Sequence, residues 1–248
     1  MYKGKKFLAI IPARGGSKGI PLKNIFSVGG RALIEYTIDS ASDSKYLDRS
    51  IISTDSEKIK SVSEKYIKAN NKRVDIPFLR PEELATDTSK TIDCVVHAVD
   101  WLKKNENLEY DYIVLLQNTS PLRKAFHIDE AIEMIIDKDE QSLVSLREVS
   151  EHPILIRSLA ENGKVKKLLD VDSTVRRQDF KPFYKIDGSI YIVKLDEDFG
   201  LNTSFNDGEI GYIMEECYSV DIDNYLDVKA VEYYLEKERE KEIELMKW

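Results

Sequence analysis

The chain has 248 residues, of which 42% are hydrophobic and 33% charged, a mix that suits a folded globular domain and excludes a disordered chain. Its formal net charge of −8 argues against a nucleic-acid partner, which would need a basic face to displace counterions. No apolar run approaches the ~18 residues of a membrane span, so a membrane protein is not expected.

The opening Met1-Tyr2-Lys3-Gly4-Lys5-Lys6 leads directly into an apolar run, and no cleaved leader is expected. Phe7 to Pro12 reads as a buried strand, followed at once by a glycine-rich loop. Ala32 to Ser42 is predicted helical, Arg49 to Thr54 a second strand, and Ser56 to Ile67 a second helix. Thr91 to Lys104 reads as a helix, Asp111 to Leu116 as a continuous apolar strand, and Ile128 to Ile136 as the next helix. Alternating short apolar runs and amphipathic stretches predict a three-layer, doubly wound, mostly parallel α/β sheet. After Gln141 the rhythm changes. Ser142 to Val149 reads as a strand, and Asn162-Gly163 as a turn between Leu155–Leu159 and Val165–Leu169. The sheet is expected to resume at Ser189 to Val193 and Gly211 to Met214, and a helix from about Tyr225 to Leu245 to close the chain. The organisation is thus one domain over residues 1–248, with an inserted strand-rich lobe at about 142–185 whose apolar strands lack helix cover. Such a lobe is expected to bury itself against a second copy, making a homodimer. Cys94 and Cys217 sit in hydrophobic runs without a CxxC pattern, which excludes a structural zinc site and predicts a cytoplasmic protein.

Open α/β sheets bind ligands at the carboxyl ends of their strands, so the loop from Ala13 to Asn24 is the first candidate site. Gly15, Gly16 and Gly19 let backbone amides approach a phosphate, and Arg14, Lys18 and Lys23 add positive charge there. A tight structural turn would explain the glycines alone but not the three cations among them. The loop lacks the Gly-Lys-Ser/Thr of a Walker loop, and Ser17 stands at the second glycine position of a dinucleotide fingerprint. His97, His127 and His152 form no nucleophilic triad with a Ser or Cys, so a covalent enzyme intermediate has no support.

Ile11-Pro12-Ala13-Arg14-Gly15-Gly16-Ser17-Lys18 with Pro21-Leu22-Lys23-Asn24 resembles the signature of the cytidylyltransferases that activate sialic acids. Further matches follow in order: Ser53-Thr54-Asp55, Arg80-Pro81, Leu84-Ala85 with Asp87-Thr88, Leu116 through Arg123, Arg176-Arg177-Gln178, Gly188 through Tyr191, and Val220 through Asp223. The resemblance implies transfer of CMP from CTP to the anomeric hydroxyl of a nine-carbon α-keto acid sugar, most naturally N-acetylneuraminate, with release of pyrophosphate. Legionaminate and pseudaminate are neighbouring acceptors, and a regulatory nucleotide-binding module without turnover is the rival from another class. By similarity Ala13, Arg14, Gly16, Ser17, Lys23 and Asn24 bind the nucleotide, Arg14 and Lys23 stabilising charge on the leaving pyrophosphate. Arg80 would read cytosine through its guanidinium fork, with Thr91 offering a hydroxyl nearby. Gln117, Arg177 and Tyr191 would hold the sugar, and in this family the segment around Arg177 acts across a dimer.

Two departures fall on the sugar side. After His152-Pro153, Leu155 stands where sialate-using relatives place a lysine, with Arg157 the only nearby substitute. Asp187-Gly188 replaces the usual Asn-Gly, and Lys185 fills a slot often held by arginine. Finally, if Val220-Asp221-Ile222-Asp223 is extended, Asp221 and Asp223 share one face while Val220 and Ile222 turn inward. Two adjacent carboxylates suit a magnesium ion that takes its remaining ligands from water and phosphate. Asp221 is also a candidate general base, and Asp223 could instead cap the final helix.

Overall fold

Every residue of the first strand, β1 (Phe7–Pro12), is buried except the last. Phe7, Ala9 and Ile11 pack into one hydrophobic layer and Leu8 and Ile10 into a second on the opposite face. Both faces are therefore covered, which is why the sequence runs apolar without alternation. The computed structural model describes residues 1–17, 19–171 and 181–240. After β1 come a small antiparallel hairpin, β2 (Ser27–Val28) and β3 (Arg31–Ala32), then α1 (Leu33–Asp43), β4 (Leu47–Ser53) and α2 (Glu57–Ala69). α3 (Thr91–Glu106), β5 (Tyr112–Leu115), α4 (Ala125–Asp137) and β6 (Ser142–Glu148) follow. The remainder comprises β7 (Arg157–Leu159), β8 (Val165–Lys167), β9 (Tyr184–Lys194), β10 (Ile210–Ile213) and α5, described over Tyr225–Arg239.

The main sheet has six strands in the order β10-β6-β9-β5-β1-β4. β1 is parallel to β4 and β5, and β10 to β6, whereas β9 runs antiparallel to both its neighbours. The expected mostly parallel α/β sheet is therefore present, with one reversed strand near its middle. α1, α4 and α5 bury Ile38, Ile132 and Val231 against one face, and α3 buries Val95, Ala98 and Leu102 against the other. Burying side chains of this size contributes about 1.5–3 kcal/mol each. Among the described residues no helix is long and apolar enough to cross a membrane.

β9 is longer than the Ser189–Val193 expected from sequence, and it is interrupted. Val144 pairs with Tyr191 and Leu146 with Ile186, so a single β6 residue, Ser145, stands opposite Asp187, Gly188, Ser189 and Ile190. Asp187 holds this bulge: its carboxylate accepts from the hydroxyl of Ser145, from Ser189 N at 3.1 Å and from Ser189 Oγ at 2.9 Å. Gly188 turns the chain with φ +84°, a conformation that disfavours side chains. β7 and β8 form the expected hairpin, closed at Asn162-Gly163, where Asn162 Oδ1 accepts from Lys164 N at 3.1 Å. Its apolar residues are exposed, Leu159 by 75% and Val165 by 63%.

Candidate active site

The ends of β1, β4 and β5 open onto a cavity of about 450 Å3 lined by Arg14, Ser17, Lys23, Asn24, Arg80 and Thr91, with Gln117, Asn118 and Asp223 at its far side. The structure thus brings most of the expected nucleotide-side residues together. Ala13 is buried, its N–H donating to Ser53 O at 2.9 Å, so the loop leaves β1 tied to β4. Gly16 has open space around its Cα. Gly19 lies so close to Asp223 that an added Cβ would meet its carbonyl oxygen at 2.5 Å, so only glycine lets the loop reach this wall. Arg14 donates from Nη1 to Thr86 O at 2.9 Å and pairs with Asp87 at 3.2 Å, which draws the segment after Arg80 toward the loop. Lys23 donates from Nζ to Ile222 O at 2.7 Å and lies 3.4 Å from Asp223 Oδ1. Asn24 is buried and spends its amide within the protein, donating to Arg14 O at 2.9 Å and accepting from Asn118 Nδ2 at 3.0 Å.

Arg80 is 6% exposed, with Nη2 3.5 Å from Asp55 Oδ1 and no partner for Nε. Thr91 begins α3, which places its hydroxyl at the helix N-terminus facing the cavity. A second cavity of about 280 Å3 shares Thr91 and Gln117 with the first and adds Tyr191, Thr203, Ser204, Phe205 and Asn206. Phe205 meets the Tyr191 ring edge to face, centroids 6.0 Å apart. Burial pushes the Tyr191 phenol up to about 12, with the nearby Asp187 and Asp221 charges adding to it, so it stays a neutral hydrogen-bond donor. Gln117 Oε1, Ser120 Oγ and the Asp221 carboxyl gather around Gly188, all within 4 Å of where its Cβ would stand.

Asp221 and Asp223 occupy different surroundings. Asp223 is exposed on the rim of the first cavity, whereas Asp221 is turned toward Gly188 with Oδ1 buried and unpartnered. Burial raises the Asp221 carboxyl above the usual carboxylate range, opposed chiefly by a hydrogen bond from Thr119. The final helix is capped by Asn224, whose Oδ1 accepts from Leu226 N at 2.8 Å and Asp227 N at 3.3 Å, so Asp223 is not the cap. A buried, orphaned carboxylate oxygen beside a second carboxylate fits a divalent cation that takes its other ligands from phosphate and water. Among the described residues no group of three or more His, Cys, Asp or Glu could hold a metal by itself.

Lys18 and Arg177 lie outside the described residues. On the sugar side, Leu155 is exposed, and Arg157 turns back to Ile154 O at 2.7 Å and Ile156 O at 2.8 Å, so its guanidinium is held by its own turn. Sequence reasoning missed Asn118 and Phe205. Asn118 adjoins Gln117 in the same motif and could have been found there; nothing marked Phe205, which sits in a loop between strands.

A mostly parallel sheet with a cavity at its strand ends lined by Arg14, Lys23 and Arg80, sharing Thr91 and Gln117 with a smaller one, is an architecture found among nucleotidyltransferases. Its fold resembles that of a CMP:2-keto-3-deoxy-manno-octonic acid synthetase solved with CTP, with a TM-score of 0.62 at 14% identity over 94% of this chain and 99% of that one. A cytidylyltransferase family model matches residues 8–242, and the chain belongs to the cytidylyltransferase family. It is 35% identical to an N-acylneuraminate cytidylyltransferase of Streptococcus agalactiae serotype V over 88% of this chain and 50% of that protein. A CMP-N,N'-diacetyllegionaminic acid synthase of Legionella pneumophila is 34% identical, with 95% and 98% covered. A pseudaminic acid cytidylyltransferase of Campylobacter jejuni is also 34% identical, with 78% and 82% covered. The chain spans about half the length of the N-acylneuraminate cytidylyltransferases it matches.

Proposed function

We propose that this chain transfers CMP from CTP to the anomeric hydroxyl of a nine-carbon α-keto acid sugar, with N-acetylneuraminate the leading acceptor and legionaminate or pseudaminate its neighbours. The observation that carries this reading is the pair of cavities that meet at Thr91 and Gln117, one lined by Arg14, Lys23 and Arg80, the other by Tyr191 and Phe205. A triphosphate fits the first and a polyhydroxylated acid with an apolar acyl group the second, their reacting ends meeting at the shared wall.

In the reaction the sugar oxygen bonds to the α-phosphorus as the bond to the bridging oxygen of pyrophosphate breaks, and the hydroxyl proton passes to a base. The raised carboxyl of Asp221, next to Gln117 and Gly188, is placed to take that proton. Arg14 and Lys23 neutralise charge that moves onto the pyrophosphate, Arg14 exchanging Asp87 for phosphate. Amides of Gly16 and Ser17 cradle phosphate while those of Ala13 and Gly15 anchor the loop to Ser53 and Asp55, Asn24 braces that loop, and Arg80 with Thr91 reads the base. Gln117 and Tyr191 orient the sugar, and Arg177 is assigned its carboxylate. With magnesium present, Asp221 and Asp223 would hold it and it would supply charge neutralisation at the phosphates; Asp221 would then be a ligand and not the base. Of the lobe expected at about 142–185, the β7–β8 hairpin is assigned to a homodimer interface, β6 lying within the main sheet, and two buried cysteines suit a reducing cytoplasm.

Mixing the protein and CTP with N-acetylneuraminate, legionaminate, pseudaminate and an octulosonate, and measuring pyrophosphate, tests the reading. Release with a nine-carbon acid supports it. CTP binding without release on any sugar overturns it in favour of a regulatory nucleotide-binding module.

A further inference from the structure

The end of β4 organises two parts of the nucleotide cavity at once. Ser53 O accepts from Ala13 N at 2.9 Å, where the glycine loop starts, and Thr54 O accepts from Arg80 N at 2.7 Å. Asp55 follows directly, and Ser56 after it caps α2, accepting from Ile59 N at 3.4 Å. Asp55 is thus held between a strand end and a helix start. One of its oxygens, Oδ1, accepts from Gly15 N at 2.9 Å and lies 3.5 Å from Arg80 Nη2. Arg80 is nearly enclosed, with Nε unpartnered, and Asp55 is its ion-pair partner among the described residues. A guanidinium taken out of water is held in place by its counter-charge, and its fork points where that charge permits.

We propose that Asp55 is a positioning residue that couples base selection to the phosphate loop: a single carboxylate oxygen sets both the aim of the Arg80 fork and the position of the Gly15 amide. The inference rests on the reading of Arg80 as the base-contacting residue. Its consequence is that preference for CTP over UTP depends on a side chain that touches neither the base nor, by its negative charge, the phosphates. Replacing Asp55 by Asn retains an oxygen for Gly15 N but removes the charge that aims Arg80.

The test compares wild type, Asp55→Asn, Arg80→Ala and the double variant, each measured by calorimetric binding of CTP and UTP, with thermal melting as a check on folding. Wild type is expected to prefer CTP, Arg80→Ala to lose that preference, and Asp55→Asn to lower the CTP-to-UTP ratio about tenfold, the worth of one charge-assisted hydrogen bond. The double variant is expected to match Arg80→Ala, as for two residues acting through one contact. A general loss of folded protein would weaken both nucleotides alike and leave the ratio unmoved. A wild-type ratio in folded Asp55→Asn, with the ratio lost in Arg80→Ala, overturns the positioning role alone. An unchanged ratio in Arg80→Ala overturns the base reading, and with it the proposal.

Discussion

Arg123 lies wholly inside the protein, with 1% of its surface exposed. Its Nη1 donates to Gln117 O at 3.0 Å and Ser189 O at 2.8 Å, and its Nη2 to Thr37 Oγ1 at 2.9 Å, so one side chain joins α1, the loop after β5 and the β9 bulge. Burial pushes its guanidinium down to about 9, against the opposing pull of the Asp187 charge. Arg123→Met keeps most of the apolar stem but takes the donors away from Gln117 O, Ser189 O and Thr37 Oγ1. A loss of about 3 kcal/mol is expected from urea unfolding, as for buried acceptors left without donors. A loss below about 1 kcal/mol would mean that these acceptors find other donors. The sequence showed Arg123 only as the last letter of a motif. Arg14, Lys23 and Gln117 were legible because each follows a strand and the strand end defines a crevice. Asn118 and Phe205 were not, since their place in the cavities comes from loops brought together by the folded sheet.

At the scale of elements, α3 presents Thr91 to the first cavity and, six residues on, packs His97 edge to face against Phe78 at 4.9 Å. Desolvation lowers the His97 pKa from its ordinary 6.5, Arg80 lowers it further, and Asp100 and Glu83 oppose weakly. The folded protein then binds a proton at His97 less readily than the unfolded chain does. Between the ordinary histidine value and the lower folded one, the unfolded state holds more protons, so stability falls as the pH drops through that window. Urea unfolding of wild type and His97→Gln between pH 7.5 and pH 5 checks this. The variant is expected to lose part of the acid-side decline, and identical slopes would remove His97 as its source. β1 and β5 were readable from unbroken apolar runs. β9 was read as a shorter strand because Asp187 and Gly188 interrupt its pattern, and its reversed direction depends on which neighbours it meets, which no local pattern encodes.

For the whole molecule, the exposed apolar hairpin bears on assembly. Leu159, Val165 and Leu168 are each more than half exposed, an unusual display of apolar side chains on one hairpin. Light scattering at micromolar concentration is expected to give about twice the chain mass of 28.6 kDa, and a Leu159→Lys/Val165→Lys variant the mass of one chain. A wild-type mass of one chain with full turnover would rule the paired form out. The turn at Asn162-Gly163 was legible from two residues, but the burial state of its strands was not, because apolar residues read alike whether the partner surface lies in the same chain or another.

β9 is one strand in sequence and two in phase. Its outer half, Tyr184 to Ile186, keeps time with Leu146 to Glu148, and its inner half with Ser142 to Val144; the four residues between the two phases are pinned by side chains and not by the ladder. Ser145 Oγ also accepts from Ile190 N at 2.8 Å, and Arg123 holds Ser189 O at 2.8 Å, so the change of phase is a knot. That knot faces Gln117 and Asp221. A strand that changes phase at this point shapes the wall beside Gln117 from inside the sheet, where a loop would otherwise be needed.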